Sequence, residues 1–187
     1  MAPQINLSKY IAEVKQSLSL TVSDEIIEKD LLLTLILAEF EKGGLEKELV
    51  FKGGTLLSRN YLNYHRFSED LDFIHRDSHE WRELNRNQRE KKIKQFIDVF
   101  VPKLKEVADS LDLEFDTDRA NTKFCTILHG RAMYTFKIYY SDNRYIKIEI
   151  NFVEKMIHQP VEVSVKAITD FFDSRELMFT LGLIIEN

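Results

Sequence analysis

The sequence predicts an α+β (mixed α/β) domain whose mixed β-sheet contains an antiparallel hairpin and is flanked by helices. Two observations predict this class. Apolar residues recur at helical spacing in the N-terminal part, and Ser78–Ser110 has the polar character of one or two long helices. Later, Ala132–Tyr140 and Tyr145–Val153 have strand character and flank the turn Ser141–Arg144, which predicts a hairpin. This mixture argues against a doubly wound parallel sheet.

The N-terminal part of the chain predicts two helices and a short strand. Asn6–Ser17 carries an apolar stripe at helical spacing. A second helix begins after Ser23 as its N-cap and ends at Gly43-Gly44, as in a left-handed C-cap. Its expected inner face is Ile27, Leu31, Thr34, Leu35 and Ala38. Leu49–Phe51 then predicts a buried strand.

The middle of the chain predicts a helix over Gly54–Tyr64 and a strand over Leu71–Ile74. Pro102 is expected to kink or restart the long polar helical region that follows, because proline lacks an N–H and clashes with the preceding turn. Another strand is expected at Leu111–Phe115 before the hairpin.

Composition limits the class of protein. The 187 residues have the length of one domain, and hydrophobic (44%) and charged (30%) contents are those of a globular chain. A net charge of −5 excludes a uniformly basic nucleic-acid binder but not a local basic face. A single cysteine, Cys125, excludes an internal disulfide and a cysteine zinc site. We expect no signal peptide, no membrane span and a cytoplasmic location.

Gly53-Gly54 lies directly between a predicted strand and a predicted helix. Glycines permit a tight turn and the close approach of a ligand to the backbone. The helix N-terminus adds free N–H groups and the positive end of its dipole, Thr55 adds a hydroxyl and Lys52 adds a cation. These features suit a phosphate group. A turn that merely requires glycine explains the pair equally well.

Asp70 and Asp72 are two residues apart on a predicted strand, so both carboxylates face the same side. Two adjacent carboxylates repel each other and are costly to hold without a cation. Oxygen ligands at this spacing suit Mg²⁺ or Mn²⁺ that bridges to substrate phosphates. A solvated strand end is the alternative, but the phosphate-binding features just upstream favour the metal.

A third carboxylate is expected from the hairpin. Lys147, Glu149 and Asn151 share one face of the second hairpin strand, by period-two alternation. Glu149 is therefore a candidate metal ligand or general base, although a solvated glutamate is unremarkable there. Lys147 could neutralise phosphate charge or serve as a plain cross-strand partner.

Two stretches, K-G-G-T-L-L at Lys52–Leu57 and R-F-S-E-D-L-D-F at Arg66–Phe73, resemble the signature of the AbiEii/AbiGii-type nucleotidyltransferase toxin family. That family belongs to the DNA polymerase β-like nucleotidyltransferase superfamily. The later K-I-E-I-N-F at Lys147–Phe152 resembles the family's strand after the acidic pair. The 15 residues Thr55–Glu69 between the glycines and the first aspartate exceed the usual superfamily spacing but are compatible with the family.

The resemblance implies a nucleotidyltransferase fold and the transfer of NMP from an NTP to an acceptor hydroxyl, with release of pyrophosphate. The triphosphate is expected at Gly53-Gly54-Thr55, and Mg²⁺ (or Mn²⁺) at Asp70 and Asp72. Glu149 would bind a second metal or deprotonate the acceptor. Further candidate phosphate contacts are Arg59, Arg66 and Ser68. Arg66 could equally be a structural partner of Glu69.

The resemblance also implies the toxin of a toxin–antitoxin or phage-defence pair, with a cognate antitoxin as partner. RNA, and tRNA ends in particular, is the expected acceptor class, while a protein acceptor remains open. The alternative function is a catalytically weak nucleotide-binding or interaction module of the same fold. We expect residues 1–187 to form a single nucleotidyltransferase catalytic domain that lacks the C-terminal helical region of longer relatives.

The segment Arg82–Lys105 contains eight basic and three acidic residues. This local excess could form an RNA-facing surface near the site. A solvated helix face with internal ion pairs is the other interpretation. The apolar, strand-like stretch Phe179–Asn187 is expected either to be paired into a sheet or to promote self-association of the protein.

Overall fold

The computed structural model describes residues 11–12, 14–16, 23–61, 69–165 and 177–181, with the backbone alone at 163–164 and 177–181. Residues 11–12 and 14–16 are helical. The longer helices are α1 (Asp24–Lys42), α2 (Gly53–Asn60), α3 (Ser78–Glu83) and α4 (Arg86–Ser110). Short 3₁₀ turns span Leu45–Lys47 and His129–Arg131. The strands are β1 (Leu49–Lys52), β2 (Asp70–His75), β3 (Cys125–Leu128), β4 (Met133–Ser141), β5 (Arg144–Asn151), β6 (Val161–Val165) and β7 (Leu177–Leu181).

The described strands form one mixed sheet in the order β3-β4-β5-β2-β1-β7-β6. β4 and β5 are the predicted antiparallel hairpin, and β2 pairs with β5 in parallel and with β1 in antiparallel orientation. β7 pairs with β1 and β6, so the part of the apolar C-terminal stretch that is described lies in the sheet as expected. The predicted α+β class with a mixed sheet is confirmed, and the arrangement is consistent with a nucleotidyltransferase-like fold.

Helices α1 and α4 cover one face of this sheet. The Phe40 ring of α1 lies 5.8 Å from Phe73 of β2 and 6.0 Å from Phe100 of α4 between centroids. Phe100 in turn lies 5.4 Å from Phe136 of β4. Because side chains alternate along a strand, the residues between these apolar ones project from the opposite face of the sheet.

Helix α1 is buried on more of its circumference than the sequence predicts. Leu35 and Ala38 of the expected inner face are only partly buried, whereas Leu33, Ile36 and Leu37 are fully buried. The helix packs against both α4 and the sheet, so a single apolar stripe does not describe it. The helix ends as predicted at the glycine pair, where Gly44 is left-handed with φ +70°.

Two predictions for the middle of the chain are corrected. Pro102 does not restart a helix, because it lies inside a continuous α4, and the break between helices falls earlier, at Asn85, whose side chain caps α4 by accepting from the Gln88 N–H. Leu111–Phe115 is not a strand. The chain turns through a left-handed Asp112 after α4, and only Glu114 bridges to Tyr139. Strand β3, by contrast, was not predicted.

No helix among the described residues has the length and apolar character needed to cross a membrane.

Candidate active site

Strand register brings the predicted acidic residues together on the face of the sheet opposite α1 and α4. Asp72 in β2 is paired with Glu149 in β5 on one side and with Lys52 in β1 on the other. Asp70 is paired with Lys147. Directly paired residues on neighbouring strands point to the same side. The expectation that both aspartates and Glu149 share one face is therefore confirmed.

Lys147 lies between two of the three carboxylates. Its Nζ is 2.7 Å from Asp70 Oδ2 and 3.5 Å from Glu149 Oε1. Burial lowers the pKa of Lys147, but the hydrogen bond to Asp70 and the charges of Asp70 and Glu149 raise it above its ordinary value. The Thr135 hydroxyl, 3.3 Å from Glu149 Oε1, adds a neutral donor. Lys147 is thus a cross-strand partner of Asp70, and its predicted contact with phosphate stays a prediction.

Among the three carboxylates, Asp72 is the one whose negative charge is least compensated by contacts with positive charges. Burial and, to a lesser extent, the negative charges of Glu149 and Asp70 raise its pKa to about 6 against the opposing positive charges of Lys52 and Lys147. None of the described cationic side chains comes within ion-pair distance of Asp72. A bound cation at this carboxylate would lower its pKa and stabilise the charged form.

Gly53 begins α2 in a conformation that favours glycine, with φ +83°. A Cβ built on Gly53 would lie 2.3 Å from Asp72 Oδ2. The absence of a side chain therefore lets the Asp72 carboxylate pack directly against the start of the helix. This contact supplies a structural reason for the first glycine, and phosphate binding by the pair stays a prediction.

Thr55 and Lys52 have protein partners. The Thr55 side chain is buried, and its hydroxyl donates a hydrogen bond to the backbone carbonyl of Asp70. The predicted contact of this hydroxyl with phosphate is therefore wrong, since the group is enclosed and ties α2 to β2. The Lys52 Nζ lies 2.5 Å from Glu154 Oε2, a partner that the sequence did not indicate.

Arg59 is not a phosphate contact, contrary to the prediction. It is fully buried, at 0% exposure, and its guanidinium donates to Thr34 Oγ1 at 2.8 Å and to Asp30 Oδ1 at 2.9 Å. It also donates to the Asp30 carbonyl. These bonds join α2 to α1 beneath the site. The available signal was the polar pair Asp30 and Thr34, spaced i,i+4 and both buried in α1.

Two further candidate phosphate contacts, Arg66 and Ser68, lie outside the described residues. Glu69, the suggested structural partner of Arg66, accepts a hydrogen bond from Lys29 Nζ at 2.8 Å. This hydrogen bond and the Lys29 charge lower the pKa of Glu69, which is only slightly buried. Glu69, the residue directly before β2, is thereby attached to α1.

The basic segment of α3 and α4 does not lie beside the carboxylates. Helix α4 packs on the apolar face of the sheet, through Phe100 and Phe136, whereas the carboxylates project from the other face. Several of its cations pair within the helix, as Arg86 does with Glu90 at 2.7 Å and Lys94 with Asp98 at 2.5 Å. The structure favours the solvated helix face over an RNA-facing surface near the site.

A cavity of about 500 Å³ adjoins the site, and sequence reasoning did not predict it. It lies between the first turns of α1 and the turn end of the β4–β5 hairpin, and Asp70 and Lys147 form part of its wall.

Within the described ranges, no three His, Cys, Asp or Glu side chains are already arranged as a metal site. The Lys147 ammonium instead contacts Asp70 and Glu149, so cation binding by all three carboxylates requires their side chains to reorient.

Comparison with known families gives one match. A family model described as "Nucleotidyl transferase AbiEii toxin, Type IV TA system" matches residues 35–181, which include β1, α2, β2 and β5. A comparison with curated proteins found no match.

Proposed function

The chain belongs to the AbiEii family of nucleotidyl transferase toxins of type IV toxin–antitoxin systems, and on that premise we propose a metal-dependent transfer of NMP from an NTP. The acceptor is a hydroxyl group, proposed to be at an RNA end and in particular a tRNA end, and pyrophosphate is released. A cognate antitoxin is the proposed protein partner.

The observation that carries this proposal is the shared face of Asp70, Asp72 and Glu149 beside the left-handed Gly53. These three carboxylates come from two adjacent parallel strands in register. The first turn of α2 begins directly against Asp72. The carboxylates, which can bind a cation, therefore lie next to the N-terminus of a helix, where free N–H groups favour the binding of a phosphate. This combination supports phosphoryl chemistry more strongly than a lone acidic pair would.

The donor set fits Mg²⁺ or Mn²⁺. Carboxylate oxygens are the ligands these ions prefer, and the uncompensated Asp72, with its raised pKa, is the group that a cation would stabilise most. Asp70, Asp72 and Glu149 would hold the ion. When bound, it would supply charge neutralisation at the transferring phosphoryl group.

The chain's own groups have distinct roles in the proposed transfer. The free N–H groups at the start of α2 donate to the triphosphate, and Lys147, released from Asp70, offers its charge to phosphate. The acceptor oxygen attacks the α-phosphorus while the bond from that phosphorus to the oxygen bridging to the β-phosphorus breaks. Glu149 takes the acceptor proton or serves as a metal ligand, and pyrophosphate carries away the electron pair.

The acceptor class is tested by incubating the protein with each of four α-labelled NTPs, Mg²⁺ and separate pools of total tRNA and total protein. The proposal expects label in the tRNA pool and none in the protein pool. Label confined to protein would contradict the RNA acceptor but not the transfer. Binding of NTP with transfer to neither pool would favour the alternative, a nucleotide-binding module of the same fold.

A further inference from the structure

The cavity beside the carboxylates has features of a binding site in its own right. Its volume, about 500 Å³, falls within the range of small-molecule sites. Asp70 and Lys147 line it on the side towards the acidic residues, and Tyr145 and Arg144 line it at the start of β5. One pair of residues is therefore shared between the cavity and the candidate active site.

Aromatic groups at this end of the hairpin give the cavity a partly apolar wall. Tyr145 is half-buried, and its ring lies 5.2 Å from the Tyr139 ring and 4.7 Å from the Lys137 Nζ. Tyr140 lies under the Arg144 guanidinium at 5.2 Å. Such rings supply the planar contact surface that a nucleobase prefers, since every base has a π-face.

Polar groups complete the wall. Asn143 in the hairpin turn is exposed and lines the cavity. An amide offers both donors and an acceptor, which matches the mixed hydrogen-bonding edge of a base. Discrimination among similar ligands depends on groups of this kind, which are satisfied by one ligand and left unpaired by another.

Two ion pairs fix the opposite wall, formed by α1. Arg144 Nη1 lies 3.0 Å from Glu28 Oε2, and Lys29 Nζ lies 2.8 Å from Glu69 Oε2. The first attaches α1 to the hairpin, and the second attaches it to Glu69, the residue directly before β2. The cavity is thus bounded by elements that are connected around it, as expected of a preformed site.

We propose that this cavity receives the nucleoside of the NTP, an inference that rests on the proposed function. If the triphosphate lies at the start of α2 and the α-phosphate at Asp70 and Asp72, the nucleoside must leave the site on another side. The shared residues Asp70 and Lys147 connect the carboxylates directly to the cavity. Base preference would then be set by the hairpin turn, through Asn143, and by Tyr145.

The test compares the binding of NTP with that of inorganic tripolyphosphate, by calorimetry in Mg²⁺ on the full chain. The two probes share the phosphate chain, and only the NTP carries a nucleoside. The wild-type protein is expected to bind its preferred NTP more tightly than tripolyphosphate. Tyr145→Val is expected to weaken NTP binding about tenfold, the loss of one base-stacking contact, and to leave tripolyphosphate binding unchanged.

Arg144→Ala tests the part of the cavity wall that the ion pair between Arg144 and Glu28 holds in place. The chain offers a matched control for this variant. Arg119 also pairs with a carboxylate at 3.0 Å and has similar exposure, but it lines a different cavity. Arg144→Ala is expected to weaken NTP binding several-fold, and Arg119→Ala to leave it unchanged. Asn143→Asp, which keeps the side-chain shape in an exposed turn, is expected to change the order of affinity among the four NTPs.

The outcomes separate this inference from the proposed function. Tripolyphosphate and NTP bound with equal affinity by the wild-type protein would overturn the nucleoside site while leaving phosphate binding intact. The nucleoside site would also be overturned if the folded variants Tyr145→Val and Asn143→Asp bound NTP with the affinity and selectivity of the wild-type protein. If these variants raised the KM for the RNA acceptor and left NTP binding unchanged, the cavity would be assigned to the acceptor and the inference would be overturned. Failure to bind either probe would overturn the proposed function itself.

Discussion

Gly53 lies so close to Asp72 that a Cβ on the glycine would come within 2.3 Å of the Asp72 Oδ2. The glycine is also left-handed, with φ +83°. The position of a candidate catalytic carboxylate is therefore coupled to the backbone turn that begins α2. The strand–turn–helix unit and the acidic strand form one assembly.

Gly53→Ala is expected to disturb the site as well as the fold. The left-handed backbone alone costs an alanine roughly 1–2 kcal/mol, and the clash with Asp72 adds to that cost. Gly44→Ala is the matched control, because Gly44 is left-handed but a Cβ there meets nothing within 4 Å. Urea denaturation should show a greater loss of stability for Gly53→Ala. Equal losses in the two variants, with unchanged Mg²⁺ binding, would contradict the coupling.

Asp72→Asn is expected to stabilise the protein in the absence of metal. The pKa of Asp72 is raised from 3.8 to about 6 on folding, so the folded state binds the proton more tightly and loses stability as pH rises through this interval. Allowing for solvent screening, removal of the charge should add about 1–2 kcal/mol at pH 7.5 and little at pH 4. Thermal unfolding at the two pH values checks this. A lower Tm for the variant at pH 7.5 would contradict it.

Lys147→Met is expected to make the stability of the protein depend on Mg²⁺. Lys147 supplies the positive charge between Asp70 and Glu149, and without it the three carboxylates repel one another. Added Mg²⁺ should therefore raise the Tm of the variant more than that of the wild type. Lys105→Met removes a cation that pairs with Asp109 on α4 and is the control. An identical response to Mg²⁺ in all three proteins would exclude a cation site at these carboxylates.

Arg59→Met is expected to destabilise the fold without a direct effect on nucleotide. Arg59 and Asp30 form an ion pair at 2.9 Å, with side-chain exposures of 0% and 3%. Removing one partner of such a pair leaves a buried charge and costs about 3–5 kcal/mol. The double variant Arg59→Met/Asp30→Leu should recover part of this loss in urea denaturation. A stable single variant with weakened tripolyphosphate binding would restore Arg59 to the phosphate site.

The sequence was sufficient to predict that Asp70 and Asp72 share a face, because period-two alternation within one strand is a local property. The position of Glu149 beside them follows from the pairing of β5 with β2, which alternation alone does not fix. The glycine pair between a strand and a helix is likewise a short-range signal, and it predicted the turn. The family model matches residues 35–181, a range that includes these segments.

Features that depend on packing between distant segments could not be predicted in this way. Arg59 has the sequence context of an exposed helical cation, and its burial results from the contact of α2 with Asp30 in α1. Lys52 meets Glu154 across 102 positions of the chain. Leu111–Phe115 has the composition of a strand, but its first residues form the end of α4, where the chain turns at the left-handed Asp112. In each case a tertiary contact or a turn overrides local preference.

The central claim, that the carboxylates of β2 and β5 support nucleotidyl transfer, is tested most directly by the rate of label transfer from NTP to tRNA in Asp70→Asn. This change keeps the side-chain size and removes one charge of the acidic face. The account predicts a loss of about a thousandfold, corresponding to about 4 kcal/mol of transition-state stabilisation, with the fold intact. Asp109→Asn, on α4, should transfer at the wild-type rate. An Asp70→Asn rate within twofold of wild type would contradict the claim.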